Sequence, residues 1–487
     1  MPKNIFLTTL CVLFLVSTAV ALEPGDTLWT RTHGGSSYDR GRSVQQTTDG
    51  GYIIAGHTYS FGAGYWDVYL LKTDSSGDTL WTRTYGGRLD DYGKSVQQTS
   101  DGGYIIAGET YSGAAHDVYL VKTDSRGDTL WTRTYGGWHY DLGHSVQQTS
   151  DGGYIVAGAT KSFGAGEYDV YLLKTDSCGD TLWTRTYGGS DNDYGHSVQQ
   201  TSDGGYIIAG TTMSFGAGGN DFYLLKTDSC GDTIWTRTYG GREWDYANSV
   251  QKTSDSGYII VGWTISFGAG SADVYLLRTD SSGDTLWTRT YGGSYWDEAH
   301  SVQQTSDGGY IIAGETESFG AGGGDVYLLK TNSSGDTLWT RTYGGTHNDW
   351  ASSLQQTSDG GYIIAGSTWS FGAGLDDVYL IRAAGDAVGV DDQESERSLP
   401  ASASLSQCYP NPFNATTVIE YQLPEAREVT LEVYNLLGEK VAALVNGLEE
   451  AGYKSVKWDA SEISSGIYFY KLSAGDLTET KRMILVK

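Results

Sequence analysis

Two columns of aspartate offer the first chemistry in this sequence. One is Asp39, Asp91, Asp141, Asp193, Asp245, Asp297 and Asp349; the other is Asp67, Asp117, Asp169, Asp221, Asp273, Asp325 and Asp377. Carboxylates at such regular places admit three uses. They could hold Ca²⁺, which takes roughly six to eight oxygens. No cofactor is assigned from the sequence; calcium is the one ion the columns leave open, and Asp191-Asn192-Asp193 is the densest cluster. A pair among them could act as acid and base in glycoside cleavage. Or they accept backbone N–H bonds and fix turns, which their regularity favours.

A third column stands just before each SVQQT-type run: Arg42, Lys94, His144, His196, Asn248, His300 and Ser352. Its basic members Arg42, Lys94, His144, His196 and His300 form a candidate anion ring for a carboxylate or phosphate. The plainer reading is a solvated first position of a strand. Aromatic area comes from Trp66, Trp138, Tyr140, Trp244, Tyr295, Trp296 and Trp350, with His139 beside them. Such rings suit sugars or the anchors of a protein partner. No HExxH, Cys-rich or His-rich spacing assigns a metal ligand. The departures Lys252, Ser256, Asn332 and Leu354 form no nucleophile–base set, so no catalytic residue is named.

These columns exist because the chain repeats. The Trp of WTRT recurs as Trp29, Trp81, Trp131, Trp183, Trp235, Trp287 and Trp339, at 52-residue steps with one step of 50 after Trp81. A period of that length marks a solenoid, propeller or array. Each unit holds four β-rich runs: a (SVQQT), b (GYIIAG), c (DVYLL) and d (DTLWTRT). Asp-Gly and Ser-Gly turns between them are hairpin signals. Runs apolar on both faces need cover on both sides, which stacking copies supplies. The expected fold is all-β, a seven-bladed β-propeller of four-stranded blades. The first d strand, 26–32, precedes any a strand, and the last unit ends on a c strand at 377–382. The N-terminal strand should therefore complete the last blade and close the ring.

Alternate turns of such a sheet share a side, so the a–b and c–d turns, which scarcely change, lie on one face. The other face carries the divergent loops, SSYD, RLDD, WHYD, SDND, REWD, SYWD and THND after each GG. His57, Glu109, Trp263 and Glu315 diverge there too, beyond strand b. Divergence on one face of a rigid ring marks a binding surface, or drift in loops that packing leaves free.

A net charge of −27 disfavours nucleic acid as a partner. Residues 1–21 carry Lys3, an apolar run and Ala19-Val20-Ala21, the pattern of a signal peptide cleaved before Leu22. No other stretch approaches the length of a transmembrane segment. Cys178 and Cys230 occupy equivalent turns expected about 17 Å apart, beyond the roughly 7 Å a disulfide allows, so free thiols are expected. The expected domains are the propeller at 22–383, an acidic flexible linker at 384–407, and a small β-sandwich at 408–487.

The run from YGG through DGGYIIAG to DVYLLKTDSSGD resembles the bacterial secreted beta-propeller repeat over 26–383, which implies a fold without an activity. DSSGDTLW is also similar to the outer strand of quinoprotein dehydrogenases, whose eight blades and vicinal cysteine pair are missing here. YPNPFNATTVIEYQLPE, VYNLLGEKV, VKWDA, SSGIYFYKL and TKRMILVK resemble the type IX secretion system sorting domain, of immunoglobulin-like architecture. Ala415 stands where proline is common in that family. This resemblance implies contact with the secretion machinery through 408–487 and export across the outer membrane of a Bacteroidetes-like bacterium. The expected function is non-catalytic binding of an extracellular glycan or protein by the variable face of a surface-attached propeller. A carbohydrate-active hydrolase or lyase, or a purely structural surface protein, are the alternatives.

Overall fold

The computed structural model describes residues 22–111, 113, 115–386, 403–405, 408, 411, 413, 416–449, 451–461, 463–475 and 477–485. The expected signal segment 1–21 and most of the expected linker lie outside the described residues. In blade 1 strand a is Asp39–Gln46, b is Tyr52–Thr58, c is Asp67–Thr73 and d is Thr79–Tyr85. They pair antiparallel in that order, and the same four-stranded sheet recurs to make seven. Gly50 closes the a–b turn at φ 83°, its N–H donating to the Thr47 carbonyl at 2.9 Å. That left-handed conformation is the reason for glycine there.

Strands b and c are buried along nearly their whole length because each blade is covered on both faces, with half-buried positions only at the variable end of blades 2, 5 and 6. Ile53, Ala55, Val68 and Leu70 of blade 1 pack on Val96, Tyr104 and Ile106 of blade 2. The other face, with Val44, Ile54 and Leu71, packs on Ile363, Ala365, Val378 and Leu380 of blade 7. The ring is thus closed, and Thr27–His33 supplies the outer strand of blade 7 by pairing with Asp377–Ala383. Both the seven blades and this closure agree with the sequence reading.

Charge locks the invariant face. The ammonium of Lys72, 3% exposed, bonds to Asp49 of the a–b turn and to the Thr73 carbonyl. Every blade repeats the pair, with Arg278 and Arg382 replacing lysine in blades 5 and 7. Just past the last strand, Asp386 accepts from Trp339 Nε1 at 2.6 Å and from the Tyr362 hydroxyl at 2.7 Å. Residues 384–386, read from sequence as the start of the linker, therefore lie against the propeller.

Strand a holds the main surprise. It begins at the first-column aspartate, four residues ahead of SVQQT, so Asp39 and its counterparts open a strand, where the sequence reading put a loop. The third column lies inside strand a, at a β-bulge between Gly41 and Ser43 and the equivalent positions, and does not precede the strand. One extra residue breaks the two-residue alternation, which hides the strand's first half from a pattern search.

The described residues fall into two compact units, one within 1–388 and one within 389–487. The second has two sheets, one of three strands and one of four. They share a core of Phe413, Ile419, Leu431, Trp458, Tyr470, Leu472 and Met483, which makes it a small sandwich.

Candidate functional site

The aspartate columns are occupied by their own loops. Asp39 accepts from the Thr58 hydroxyl, from Ser60 Oγ at 2.6 Å and from the Gly35 N–H at 2.7 Å. Asp67 accepts from the Ala63 and Gly64 N–H groups at 3.0 and 3.2 Å. Gly34 lies between two such carboxylates: a Cβ there would stand 1.9 Å from Asp377 Oδ1 and 2.8 Å from Asp39 Oδ2. These donors give the regular aspartates a turn-fixing role in each blade.

Below the variable end the inner strands are uniform. The carbonyl oxygen of the Gln45 side chain accepts the Gln98 N–H at 2.6 Å, and this blade-to-blade bond runs right round the ring. Val44, Gln45 and their counterparts in the other six blades line an open cavity of about 270 Å³. Above it the chemistry diverges at two levels. The bulge residues form one; the second residue of strand a forms the other, as Arg40, Tyr92, Leu142, Tyr194, Tyr246, Glu298 and Trp350. Strand pairing sets the latter beside the divergent ends of strand b, for example Tyr246 beside Trp263 and Glu298 beside Glu315.

These groups sort by blade. Around blades 7, 1, 2 and 3 runs a chain of rings and one guanidinium. Arg40 lies between Trp350 at 5.7 Å and Trp66 at 5.9 Å, while it pairs with Asp376 at 2.6 Å. Trp66 meets His57 at 4.9 Å and Tyr92 at 6.0 Å; His116 continues to Tyr140, stacked at 5.7 Å. Blades 5 and 6 carry a second group, with Tyr246 stacked on Trp263 at 4.3 Å and Trp263 against Trp296 at 5.0 Å.

Of the aromatic candidates, Trp66, Tyr140, Trp296 and Trp350 are thus built into clusters. Trp138 is 88% exposed, and Trp244 and Tyr295 are also open to solvent. Among the described residues none of these three has a ring partner. His139 is exposed and its N–H donates to Ser162 Oγ. The second column of strand a, Trp350 excepted, escaped the sequence reading. Its signal was divergence one residue after an invariant Asp.

The five anion-ring candidates occupy one level but differ in state. His144 and His196 stack at 5.2 Å. Burial, then the neighbouring His144, lowers His196 to about 3, and burial also lowers His144. Both are neutral at ordinary pH. Lys94 pairs with Glu109 at 3.5 Å. His300 Nε2 meets Glu298 Oε1 at 3.0 Å. Arg42 lacks any ion pair among the described residues, and its Nε is buried without a hydrogen-bond partner. Positive charge is therefore concentrated at Arg42, with Arg40 and Lys94 already paired.

Opposite in character is blade 6, where donor atoms of Glu298, His300 and Glu315 lie within 4.8 Å of one another. Burial and then the charge of Glu298 push Glu315 up to about 7, with His300 opposing. Burial works against the charge of Glu298, but His300 and the Trp296 indole outweigh it and hold Glu298 low. This is the one group of three metal-capable side chains among the described residues. Sequence spacing did not show it, because only strand register brings Glu298 and Glu315 together.

Residues 407–487 match the family described as a secretion system C-terminal sorting domain. Regulatory protein FlaEY of Caulobacter vibrioides (strain ATCC 19089 / CIP 103742 / CB 15) is 29% identical over 214 residues, which is 42% of this chain and 18% of that protein. The chain thus spans less than a fifth of that relative's length. Among solved structures, PorZ, a surface component of the type IX secretion system of Porphyromonas gingivalis, shares 11% identity at a TM-score of 0.41, over 96% of this chain and 61% of its own. A fungal alcohol oxidase of the AA5 family, in complex with copper, shares 12% at 0.48, over 95% and 100%. Likeness at this level carries no inference about activity. The sorting domain does carry one about destination: the chain is exported by the type IX system to the cell surface or the extracellular space.

Proposed function

We propose that this exported protein is a non-catalytic binding protein whose propeller presents its variable rim to an extracellular glycan or protein. In this reading 1–21 is the signal peptide, the propeller runs from 22 to 386, and the linker is shorter than the sequence suggests, because Ser404–Leu405 already forms a strand of the C-terminal sandwich that carries the sorting domain. One observation carries the proposal. Divergence is concentrated at one end of the ring, in its loops and in two inner levels, while the Ser, Val and Gln levels directly beneath scarcely vary from blade to blade. A scaffold held so constant supports side chains that can differ without cost to the fold. The aromatics provide contact area, and Arg42 an unpaired cation for an acidic group on the ligand.

The test is binding of the purified protein to glycan and protein arrays. Binding that weakens in Trp138→Ala, Trp296→Ala or Arg42→Gln, with no product released from polysaccharide, supports the reading. Silence on both arrays counts against it. A second reading, a carbohydrate-active hydrolase, draws on Glu298 and Glu315, adjacent carboxylates whose environments drive their protonation apart. Polysaccharide cleavage that is lost in Glu315→Gln would establish it.

A further inference from the structure

We propose that Glu298, His300 and Glu315 bind one divalent transition-metal cation of the zinc type, beside the channel at the variable end of the propeller. Two carboxylate oxygens and an imidazole nitrogen are a donor set such ions accept. Bonds of about 2.0–2.2 Å to one ion place neighbouring donor atoms roughly 3–3.5 Å apart. His300 Nε2 and Glu298 Oε1 are already 3.0 Å apart, and all three donors lie within 4.8 Å. A small adjustment of the Glu315 side chain closes the set.

Charge argues the same way. Two half-buried carboxylates face a single imidazole, and among the described residues no lysine or arginine forms an ion pair with either. Among the described residues no donor hydrogen-bonds to the Glu315 carboxylate. A half-buried carboxylate with no protein donor is partly desolvated at some cost, and a divalent cation offsets that cost. The neighbours fix the donors in place. Trp296 Nε1 donates to Glu298 Oε2 at 3.2 Å, which leaves Oε1 to His300. The Asn248 amide sits 3.4 Å from His300 Nδ1, so Nε2 is the nitrogen turned to the carboxylates. Supporting contacts of this kind are what orient metal ligands.

The combination occurs once. At the Glu298 position the other blades carry Arg, Tyr, Leu, Tyr, Tyr and Trp, and no other blade joins an acid there to an acid at the end of strand b. Three protein ligands leave a coordination position for water or for a carboxylate or hydroxyl of a bound molecule. The cation site does not depend on the binding function proposed above, and its test reads the metal itself.

The purified full chain, stripped with a chelator, is titrated with ZnCl₂ by calorimetry and with CoCl₂ by visible absorption. One Zn²⁺ per chain is expected. Glu298→Gln and Glu315→Gln should weaken it by about 100-fold or more, and Trp296→Phe by roughly tenfold, while His144→Gln leaves it unchanged. In the unmodified protein, the ring ¹⁵N resonances of His300 should shift on adding Zn²⁺ while those of His196 do not, a readout independent of any variant's folding. Absence of binding, unchanged affinity in Glu315→Gln, tighter binding of Ca²⁺ than of Zn²⁺, or an unmoved His300 would each overturn the site.

Discussion

The hydroxyl of Tyr343 donates to the carbonyl of Gly25 at 2.5 Å, across 318 residues of chain. Tyr343 ends the outer strand of blade 6, and Gly25 precedes the strand that completes blade 7. The same bond joins successive blades elsewhere, as Tyr85 to Gly127 at 2.6 Å and Tyr291 to Gly335 at 2.5 Å. At the seam it ties the outer strand of blade 6 to the N-terminal segment that completes blade 7. The sheet there is completed by Thr27–His33, and the Ala384 N–H donates to the Asp26 carbonyl at 2.8 Å.

Deleting residues 22–33 should therefore expose the edge of Asp377–Ala383 and cause aggregation. Tyr343→Phe is the milder probe. It leaves a buried carbonyl unpaired, at a cost of about 1–2 kcal/mol. Thermal melting should fall by a few degrees. An unchanged melt in both variants would contradict closure through this seam.

Ser256 is the one described non-glycine residue at positive φ, at 73°, where the equivalent Gly50, Gly102 and Gly308 stand at 82–83°. A Cβ at those glycines meets nothing within 4 Å, so a side chain there adds strain without contact. Ser256→Gly should stabilise by about 0.5–1 kcal/mol, after allowing for the greater freedom of glycine in the unfolded chain. A melt shifted upward by one or two degrees would show it; a lower melt would refute it.

The invariant face should make the fold acid-sensitive. Asp101, Asp151 and Asp203 are each held down to about 2: burial opposes their charge, but a Thr hydroxyl and a buried Lys outweigh it. Their values in the unfolded chain are about 3.9. The folded state binds protons less readily, so this stabilisation is complete above the unfolded value and is lost as pH falls from about 4 toward 2. Melting temperature measured across that range should drop steeply. Asp101→Asn should be less stable at neutral pH and show a shallower drop.

Exposure separates the aromatic candidates by experiment. Trp138→Ala removes a ring that stands in solvent, so its melt should stay within about 1 °C of the parent's. Trp263→Ala removes a ring packed between Tyr246 and Trp296 and should lower the melt as well as any binding. Equal stability losses in the two variants would remove the basis for treating Trp138 as a free contact surface.

Blade number, the closing strand and the sorting tail were legible in the sequence because each is written in local pattern. Trp29 to Trp339 recur at nearly constant steps, and the hairpin turns repeat with them. A missing last d strand and an extra first one then have a single solution, which Thr27–His33 pairing with Asp377–Ala383 realises. The regular aspartates, too, were readable as turn residues. What only tertiary structure decided is which divergent side chains meet. A bulge at Arg42 and its counterparts adds one residue to strand a, which shifts the side-chain alternation and conceals the column from Arg40 to Trp350. Antiparallel register sets Glu298 beside Glu315, seventeen positions away in sequence, and ring geometry stacks His144 of one blade on His196 of the next. Periodicity reports what every blade must do to pack, and packing is local to a blade and its neighbours. A site assembled from the exceptions obeys no period, so its members become neighbours only when the strands pair and the ring closes.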